Sequence, residues 1–489
     1  MGISSIKKNF FYNSLYQVLI VIIPFISAPY ISRVLGAANI GIQSYTASIQ
    51  QYFILFSYLG TLTYGARKIS INRDDEKKRS ILFWEIEFLV IITTTISLVG
   101  WGMFLLVCNE YRTLYHILTI GIVASAFDIS WFFSGMEKFK LTSLRSMFFR
   151  ILSLICLFVF VKDESDLNIY VLISSLTTLL SNISLWPYLR KCLVKVDFKE
   201  LRVMRHLHDT LVYFVPSVAT SLYVVLDKTL LGYISSDAYQ SGYYQQAQKV
   251  LGLANSMVFT AINAVVEVRN SYLFSEKNYD EIKRKIEVSF NYIFFMGIGA
   301  TFGIIGVAKT FVPLFFGQGY EPVVNLLYIL SPLVIIIGVS GSLSSQYYTP
   351  VGKRNKISKF LITGSIINLI LNLSLIPSFG AVGASVASLA AETVITTLFI
   401  LNSDGFCSFK MLIRISWKKL IAGVIMFIVV YKMNAISLHP IIRFFVQVIS
   451  GVAIYGVLLL IIRDKWVYSM FNEIKGKVLD KSKNLVIKF

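Results

Sequence analysis

The chain has 489 residues, of which 55% are hydrophobic and only 15% are charged, and its mean hydropathy is +0.67. Because soluble proteins carry about 25% charged residues, this composition excludes a water-soluble enzyme and indicates a polytopic membrane protein. The net charge is +19. In a membrane protein such an excess first reflects topology, since Lys and Arg are retained on the cytoplasmic side, and no nucleic-acid partner is expected.

Fourteen apolar stretches have the length of about 20 residues that a helix needs to cross a bilayer. They are predicted at residues 12–34, 42–66, 81–107, 114–134, 144–161, 168–189, 210–234, 244–266, 288–309, 322–347, 359–377, 380–402, 417–434 and 441–463. The predicted fold class is therefore an all-α polytopic membrane protein with about 14 transmembrane helices.

The distribution of basic residues supports this number of spans. With the N-terminus in the cytoplasm, and with cations at the ends of spans counted on the nearer side, 37 Lys and Arg lie inside, 6 lie outside, and 3 lie deeper within spans. A missed or added span would reverse the side of every later loop, so the asymmetry favours an even number and two cytoplasmic termini. Lys7 and Lys8 precede an apolar run that we interpret as an uncleaved first span.

Motifs of soluble catalytic centres are missing from the sequence. There is no G-x-x-x-x-G-K-[ST] phosphate loop, no H-E-x-x-H metal motif and no G-x-S-x-G nucleophile elbow. The four cysteines show no pairing pattern, and His206 and His208 are interpreted as a solvated face of a basic loop, not as a metal site. No loop is long enough for a catalytic domain, so the pattern favours transport over chemistry.

An internal repeat relates the first and seventh spans. Each has a cation followed by an apolar-Gly end, at residues 33–36 and 228–232, and the next helix then begins with Gly and an aromatic residue, at 41–45 and 242–244. Because the copies lie six spans apart, both have the same orientation, which predicts two parallel lobes with a substrate path between them.

The repeat leads to a prediction of the domain organisation. The N-terminal lobe is predicted at residues 1–190 and the C-terminal lobe at residues 210–402. Two further spans follow at 417–463, as a lipid-facing addition, and a basic cytoplasmic tail completes the chain at 464–489.

Four stretches resemble motifs of bacterial polysaccharide flippases of the Wzx type. They are Pro-Tyr-Ile-Ser-Arg-Val-Leu-Gly at 29–36 with Gly-Ile-Gln-Ser-Tyr at 41–45, Asp-Ile-Ser-Trp-Phe-Phe-Ser-Gly-Met-Glu at 128–137, Asp227-Lys228 with Leu231-Gly232 and Gly242-Tyr243-Tyr244, and Gly-Ala-Val-Gly-Ala-Ser at 380–385 leading to Glu392. On these matches the chain is identified as a member of that family. The family is similar in fold to MATE multidrug exporters and lipid II flippases, with two six-helix lobes around a cavity.

The resemblance also implies a substrate and a setting. The expected substrate is a polyprenyl-diphosphate-linked oligosaccharide, as used for O-antigen, capsule or teichoic acid, in a bacterial inner membrane. No cofactor is expected, and a proton gradient, a sodium gradient or the membrane potential would drive transport. The expected partners are membrane lipids, a polysaccharide polymerase and a chain-length regulator, with the flippase itself a monomer.

Charged residues inside the membrane are the candidate site residues, since each costs about 3 kcal/mol unless it has a partner or a cavity. Four cations are candidates for substrate binding: Arg33, Lys228, Lys249 and Arg150. The alternative for Arg33 and Arg150 is snorkelling to an interface. Tyr45 and Gln50, with Gln51 and Tyr52, form a Tyr/Gln cluster that would contact sugar, although tyrosine also populates membrane interfaces for general reasons.

Three acids are candidates for ion coupling: Asp128, Asp227 and Glu392. Asp128 has a structural alternative, as a helix cap or a partner of Arg150, and Glu392 has one as an ion-pair partner across the lobe. Glu85 and Glu87 are expected at the inner interface. No metal site is predicted.

Two other functions stay open. A MATE-type exporter of organic cations would require an acidic cavity, which the cations at the two repeat positions, Arg33 and Lys228, oppose. A membrane glycosyltransferase or ligase would require a catalytic acid pair in an outside loop. The only acidic cluster in such a loop, at residues 163–166, is more simply interpreted as a solvated turn.

Overall fold

The computed structural model describes residues 3–235, 237–276 and 278–473. Within these ranges all regular structure is helical and no strand occurs. Nine helical segments of this part of the chain are long and apolar enough to cross a membrane. The predicted class, an all-α polytopic membrane protein, is confirmed.

Seven α-helices form the first part of the chain. They are α1 (Ile3–Tyr58), α2 (Thr61–Asn72), α3 (Glu76–Val107), α4 (Arg112–Ser125), α5 (Ser130–Gly135), α6 (Phe139–Phe160) and α7 (Leu167–Ile183). Three short 3-10 helices at Trp186–Lys191, Phe198–Glu200 and Val203–His206 connect α7 to the next long helix.

Eight α-helices follow. They are α8 (Leu207–Ile234), α9 (Ala238–Ser275), α10 (Tyr279–Phe316), α11 (Pro322–Leu330), α12 (Leu333–Leu343), α13 (Arg354–Leu401), α14 (Phe409–Lys432) and α15 (Pro440–Ile461). A π-helical turn at Ser344–Tyr348 extends α12.

Each of the fourteen predicted spans falls on one or two of these helices, but two connections differ from the expectation. The loop expected between spans one and two is wrong, because α1 continues through a kink at Gly36, where φ is 73°. A second kink, at Gly380 with φ 53°, joins spans eleven and twelve within α13. Glycine is needed at both positions because side chains with a Cβ disfavour positive φ.

The predicted end of span two is also wrong. The helix stops at Tyr58 and not at residue 66, because Leu59 and Gly60 both have positive φ and redirect the chain into α2.

Packing divides the chain into two compact units. The first comprises residues 1–245 with 369–384, and the second comprises residues 246–368 with 385–489. These boundaries differ from the predicted lobe boundary at 190–210, and the pairing of two six-helix lobes stays a prediction. Most of the predicted basic tail, from residue 474 onward, lies outside the described residues.

In the first unit, the aromatic stretch at residues 131–133 forms core. Trp131, Phe132 and Phe133 are almost fully buried, and the Trp131 ring stacks on Phe83 with centroids 5.7 Å apart. Gly65 lies directly under the Trp131 ring and leaves no room for a Cβ. The Trp-Phe-Phe part of the family-like motif is therefore a packing feature that holds α2, α3 and α5 together.

In the second unit, α14 and α15 pack against α10. The Lys419 side chain of α14 is 1% exposed, pairs with Asp464 at 2.9 Å and donates to Asn291 of α10 at 3.2 Å. Burying an ion pair costs desolvation unless its partners are well placed, so this arrangement fixes one geometry of these helices. The two last predicted spans are thus docked firmly on α10.

Candidate substrate-translocation site

A polar cavity of about 580 Å³ lies in the first unit among α1, α5, α6 and α7. We name it the Arg145 cavity. Its cations are Arg145 and Arg150. Ten of its lining residues carry aliphatic hydroxyls: Ser130, Ser134, Thr142, Ser143, Ser146, Ser153, Ser174, Thr177, Thr178 and Ser181. Guanidinium groups and hydroxyls together can donate hydrogen bonds to phosphate and exchange them with sugar hydroxyls.

The Arg145 side chain is anchored but incompletely bonded. Its Nη1 donates to the Ser181 carbonyl oxygen at 2.6 Å, and its Nη2 donates to Ser146 Oγ at 3.1 Å. Its buried Nε has no hydrogen-bond partner among the described residues. Because an unbonded buried donor is costly, this N–H favours a ligand that supplies an acceptor.

Arg150 lies one and a half helical turns further along α6 and is exposed. Its guanidinium lies over the Tyr16 ring of α1, 5.6 Å from the ring centroid. A cation–π contact of this kind orients the guanidinium while leaving its N–H groups available. Arg145 and Arg150 both line the Arg145 cavity. Arg150 is therefore exposed at the surface and also faces the cavity.

Asp128 lines the same cavity, and both its carboxylate oxygens are bonded. Oδ1 accepts from the Ser130 backbone N–H at 3.0 Å, which fixes the start of α5, and Oδ2 accepts from the Tyr58 hydroxyl at 3.0 Å. No ion pair joins Asp128 to Arg150 within the described part of the chain. The N-cap position of α5 is Ile129, so Asp128 is not the helix cap, and its bond to the Ser130 N–H holds the turn just before the helix. Its role in coupling stays a prediction.

A second cavity, of about 410 Å³, contains Lys228 and is formed by α1, α8 and the start of α9. We name it the Lys228 cavity. Its other polar lining residues carry amides or hydroxyls: Gln43, Ser44, Ser48, Gln51, Ser221 and Gln245. Ser44 Oγ donates to Gln245 Oε1 at 3.2 Å, and Thr229 Oγ1 donates to Ser48 Oγ at 2.8 Å. One cation among amides and hydroxyls suits an anionic, hydroxyl-rich ligand.

Asp227 points away from the Lys228 cavity, as expected for a neighbour on a helix. Its side chain is buried, and its carboxylate accepts from the Tyr244 hydroxyl and from Asn372 Nδ2, both at 2.6 Å. These bonds tie α8 to α9 and to the 369–384 segment of the first unit. Asp227 is thus well placed to hold structure, and its role as a coupling acid stays a prediction.

The other predicted site residues line neither cavity. Arg33 is exposed near the Gly36 kink, Lys249 is half-buried in α9, and Glu392 is buried in α13. Tyr45 packs against Gly232 and near the Tyr111 ring. The buried Gln50 amide donates to the Leu118 carbonyl oxygen at 2.6 Å, so it joins α1 to α4 instead of facing a cavity.

One prediction about the cytoplasmic side is wrong, and another stays a prediction. The side chains of Glu85 and Glu87 are fully buried within the protein, and the connection between α7 and α8 packs against Glu85, while the position of both acids at the inner interface stays a prediction. His206 is also buried and not solvated: its Nε2 lies 2.9 Å from Glu85 and its Nδ1 lies 2.6 Å from the Tyr64 hydroxyl.

Some lining residues escaped the prediction from sequence, although a signal was present. Gln43 and Ala47 recur at four-residue spacing with Gln51, a member of the predicted Tyr/Gln cluster. Ser174, Thr178 and Asn182 have the same spacing, and side chains with this spacing share one helix face. Arg145 is not among the predicted site residues. The polar faces of α6 and α7 would have indicated a cavity next to Arg145.

The fold is similar to the folds of solved helical membrane transporters. A lipid II flippase, MurJ, in an inward closed conformation superposes with a TM-score of 0.71, at 16% identity over 93% of this chain and 99% of that chain. An inward-facing MATE family transporter superposes with a TM-score of 0.56, at 14% identity over 85% of this chain and 100% of the other. At these identities the likeness concerns the fold.

The sequence comparisons are more specific. The model of the family described as "Polysaccharide biosynthesis protein" matches residues 6–266, more than half of the chain. The chain belongs to this family, which confirms the family predicted from its motifs. A candidate O-antigen transporter of Escherichia coli (strain K12) is 26% identical over 406 residues, covering 81% of this chain and 96% of the relative. A candidate flippase of low-salt glycan biosynthesis from Haloferax volcanii is 24% identical over 250 residues, half of each protein.

Proposed function

We propose that this protein is a flippase for polyprenyl-diphosphate-linked oligosaccharide repeat units. It moves them by alternating access from the cytoplasmic to the outer leaflet of a bacterial inner membrane, where they enter surface polysaccharide. The family, the relatives described as an O-antigen transporter and a glycan flippase, and the flippase fold support this proposal. Both termini lie in the cytoplasm, as the distribution of Lys and Arg predicts.

The Arg145 cavity is the observation that carries the proposal. A sugar head cannot cross hydrocarbon because each unpaired hydroxyl costs several kcal/mol. Ten hydroxyl side chains offer replacement hydrogen bonds, and Arg145 and Arg150 offer the forked donors that suit a diphosphate. The lipid tail stays in the bilayer while the head occupies the polar cavity. In this scheme the Lys228 cavity supplies a second contact through a point charge.

An exporter of organic cations, the second candidate, suits these cavities less well. The two cavities together present Arg145, Arg150 and Lys228, against a single acid, Asp128. The carboxylate of Asp128 is itself engaged by Ser130 and Tyr58. Organic cations would meet net repulsion in such a site.

A glycosyltransferase, the third candidate, needs a free acid pair in an outside loop. In the cluster at residues 163–166, Asp163 and Asp166 form a capping box around a single helical turn. Hydrogen bonds from the side chain and backbone of Ser165 hold the pKa of Asp163 below its ordinary value. A general acid must hold a proton near neutral pH, so this environment opposes that role.

The proposal is tested with purified protein in proteoliposomes that contain a lipid-linked oligosaccharide. A membrane-impermeant glycosidase or lectin reports how much head group reaches the opposite leaflet. We expect protein-dependent translocation of the oligosaccharide lipid and none of a fluorescent organic cation. Translocation of the cation alone would establish the exporter, and transfer of sugar to an acceptor without translocation would establish the transferase.

A further inference from the structure

The connection between α7 and α8 lies bound along the start of α3. We name residues 186–206 the strap. The Arg79 side chain donates to the Cys192 carbonyl oxygen through Nε at 3.0 Å and Nη2 at 2.6 Å. Ser80 Oγ accepts from the Val194 N–H at 2.9 Å, and Glu85 accepts from the Arg202 N–H at 2.7 Å. The strap is therefore a fixed part of the first unit and not a loose linker.

An open groove of about 800 Å³ lies between the strap and α3. Its apolar wall is aromatic: Phe198 of the strap contacts Trp84 of α3 edge to face, with centroids 5.6 Å apart, and Trp186 lies on the same lining. Its cations are Arg190 and Lys195. The groove thus combines an aromatic, apolar wall with a basic edge.

The basic edge forms no ion pair with an acid in the described part of the chain. Arg190 and Lys195 are both exposed, and neither makes an ion pair or side-chain hydrogen bond with any described residue. Asp197 is the one acid on the lining, and its carboxylate accepts from the backbone N–H of Lys199 at 3.0 Å. The edge therefore favours an anion from outside the protein.

The strap also exposes apolar side chains on the face that the charge distribution predicts to be cytoplasmic. Phe198 is 59% exposed and Tyr188 is 47% exposed, beside exposed Val194. Aromatic residues next to Lys and Arg at the end of a membrane span are typical of the headgroup layer. A basic pocket beside spans on the cytoplasmic side is suited to anionic lipid headgroups.

We propose that the groove is a binding site for an anionic glycerophospholipid of the cytoplasmic leaflet. The lipid phosphate lies at Arg190 and Lys195, and an acyl chain lies along Trp84, Trp186 and Phe198. The bound lipid joins α3 to the strap and so supports the connection between the sixth and seventh spans. This site is separate from the Arg145 and Lys228 cavities, and the inference does not depend on what the protein transports.

The experiment measures lipid retention by the purified full-length protein with native mass spectrometry. The protein is titrated with dioleoyl phosphatidylglycerol or with dioleoyl phosphatidylcholine of the same chain length. We expect wild-type protein to retain phosphatidylglycerol at least about tenfold more tightly than phosphatidylcholine. In the R190Q/K195Q variant this preference should fall to about twofold or less, and Phe198→Ser should weaken both lipids.

The matched control is the K191Q/K199Q variant, which removes two exposed cations of the strap that do not line the groove. It has the same net charge as R190Q/K195Q and should keep the wild-type preference. Equal loss in both double variants would show a diffuse charge effect and overturn the proposal. Displacement of phosphatidylglycerol by soluble glycerol phosphate at millimolar concentration would also overturn it, because the groove would then be a site for a soluble phosphate.

Discussion

The Arg145 side chain is held in place by two hydrogen bonds and still has one N–H that can bind a ligand. Two of its nitrogens are tied to Ser181 and Ser146, which sets the plane of the guanidinium, and its Nε–H is left for a ligand. An arginine held in this way loses little entropy when it binds a phosphate. It is a better candidate for the principal phosphate contact than Arg33, which is exposed and lines neither cavity.

We therefore predict that Arg145→Ala lowers the affinity for the lipid-linked oligosaccharide about 10- to 100-fold, the value of a charge-assisted hydrogen bond. Arg145→Lys should recover only part of the loss because lysine lacks the forked geometry. Binding to purified protein and export in a deletion strain are the measurements, with accumulation checked by immunoblot. Arg112→Ala, which removes an exposed arginine outside both cavities, serves as control. Wild-type binding by Arg145→Ala would refute the assignment.

The hydrogen bonds of Asp128 allow its structural role and its predicted role in ion coupling to be tested separately. An asparagine keeps an acceptor for the Ser130 N–H and can exchange a hydrogen bond with the Tyr58 hydroxyl, but it carries no charge. We predict that Asp128→Asn accumulates normally and loses the dependence of transport on a pH gradient. Asp128→Ala should instead be destabilised by about 1–2 kcal/mol, because the Ser130 N–H and the Tyr58 hydroxyl both lose their acceptor. Gradient-dependent transport by Asp128→Asn, measured in vesicles, would remove Asp128 from coupling.

At the scale of elements, α1 and α9 cross in the first unit at a point where glycines let the two backbones touch. A Cβ at Gly41 would overlap the Ala238 carbonyl oxygen, and a Cβ at Gly242 would overlap the Ala37 carbonyl oxygen. Both obstacles are backbone atoms that cannot rotate away. Small residues at a crossing let helices in membranes approach closely and pack by van der Waals contact.

Gly242→Ala is predicted to lower the free energy of unfolding by about 1–3 kcal/mol, and more if the helices cannot separate. The matched control is Gly252→Ala in the same helix, where a Cβ would meet nothing within 4 Å. Because alanine is the better helix former, Gly252→Ala should be neutral or stabilising by up to about 1 kcal/mol. Thermal unfolding in detergent measures both. Equal midpoints for the two variants would show that the crossing is not tight in solution.

The strap, α2 and α3 meet at a buried histidine. His206 lies between Glu85 and the Tyr64 hydroxyl, with Arg205 paired to the same Glu85 carboxylate and Lys68 paired to nearby Asp209. Burial lowers the pKa of His206 below its ordinary value, although the hydrogen bond to Glu85 opposes this shift. The folded protein therefore holds His206 neutral more readily than the unfolded chain does.

From this shift we predict that stability depends on pH in a defined window. The contribution of His206 is fully present above the unfolded pKa of about 6.5, and it is lost as pH falls from there toward the lower folded pKa. The unfolding midpoint should thus drop as pH falls below about 6.5. His206→Gln should flatten this part of the curve, while His208→Gln, at a 92% exposed neighbour, should leave it unchanged. An unchanged slope in His206→Gln would contradict the prediction.

For the whole molecule, the charge of the proposed diphosphate substrate determines the driving force of transport. A diphosphate carries about two negative charges, and moving one charge through 100 mV changes its free energy by about 2.3 kcal/mol. An interior-negative potential therefore favours outward flipping by roughly 4–5 kcal/mol per 100 mV, provided that the anion crosses without a compensating ion. The cavities must bind the head group firmly enough to desolvate it and weakly enough to release it.

Outward transport should accordingly increase when a potassium gradient and valinomycin set an interior-negative potential in proteoliposomes. The same vesicles with equal potassium on both sides are the control. Transport that follows an imposed proton or sodium gradient and ignores the potential would show that an ion compensates the substrate charge, with Asp128, Asp227 and Glu392 as the acids to test next.

Properties that depend on local hydropathy and charge could be predicted from the sequence alone. The helical class, the spans and the bias of Lys and Arg follow from local hydropathy and charge, because each helix in a bilayer must satisfy its own backbone and cover its own lipid-facing surface. The family followed from short motifs with fixed spacing. Much of one motif, the Trp-Phe-Phe stretch, proved to be core, since bulky aromatic residues are as useful for packing as for binding.

Only the tertiary structure decided which polar side chains share a cavity. Gln50 and Gln51 are adjacent, but successive residues of a helix are rotated by about 100°. Gln50 therefore contacts α4, whereas Gln51 lines the Lys228 cavity. His206 was buried by a strap that binds α3 through Arg79 and Glu85, over a hundred residues away in sequence. Burial and cavity lining depend on helix rotation and on distant neighbours, and neither is a sum over the local chain.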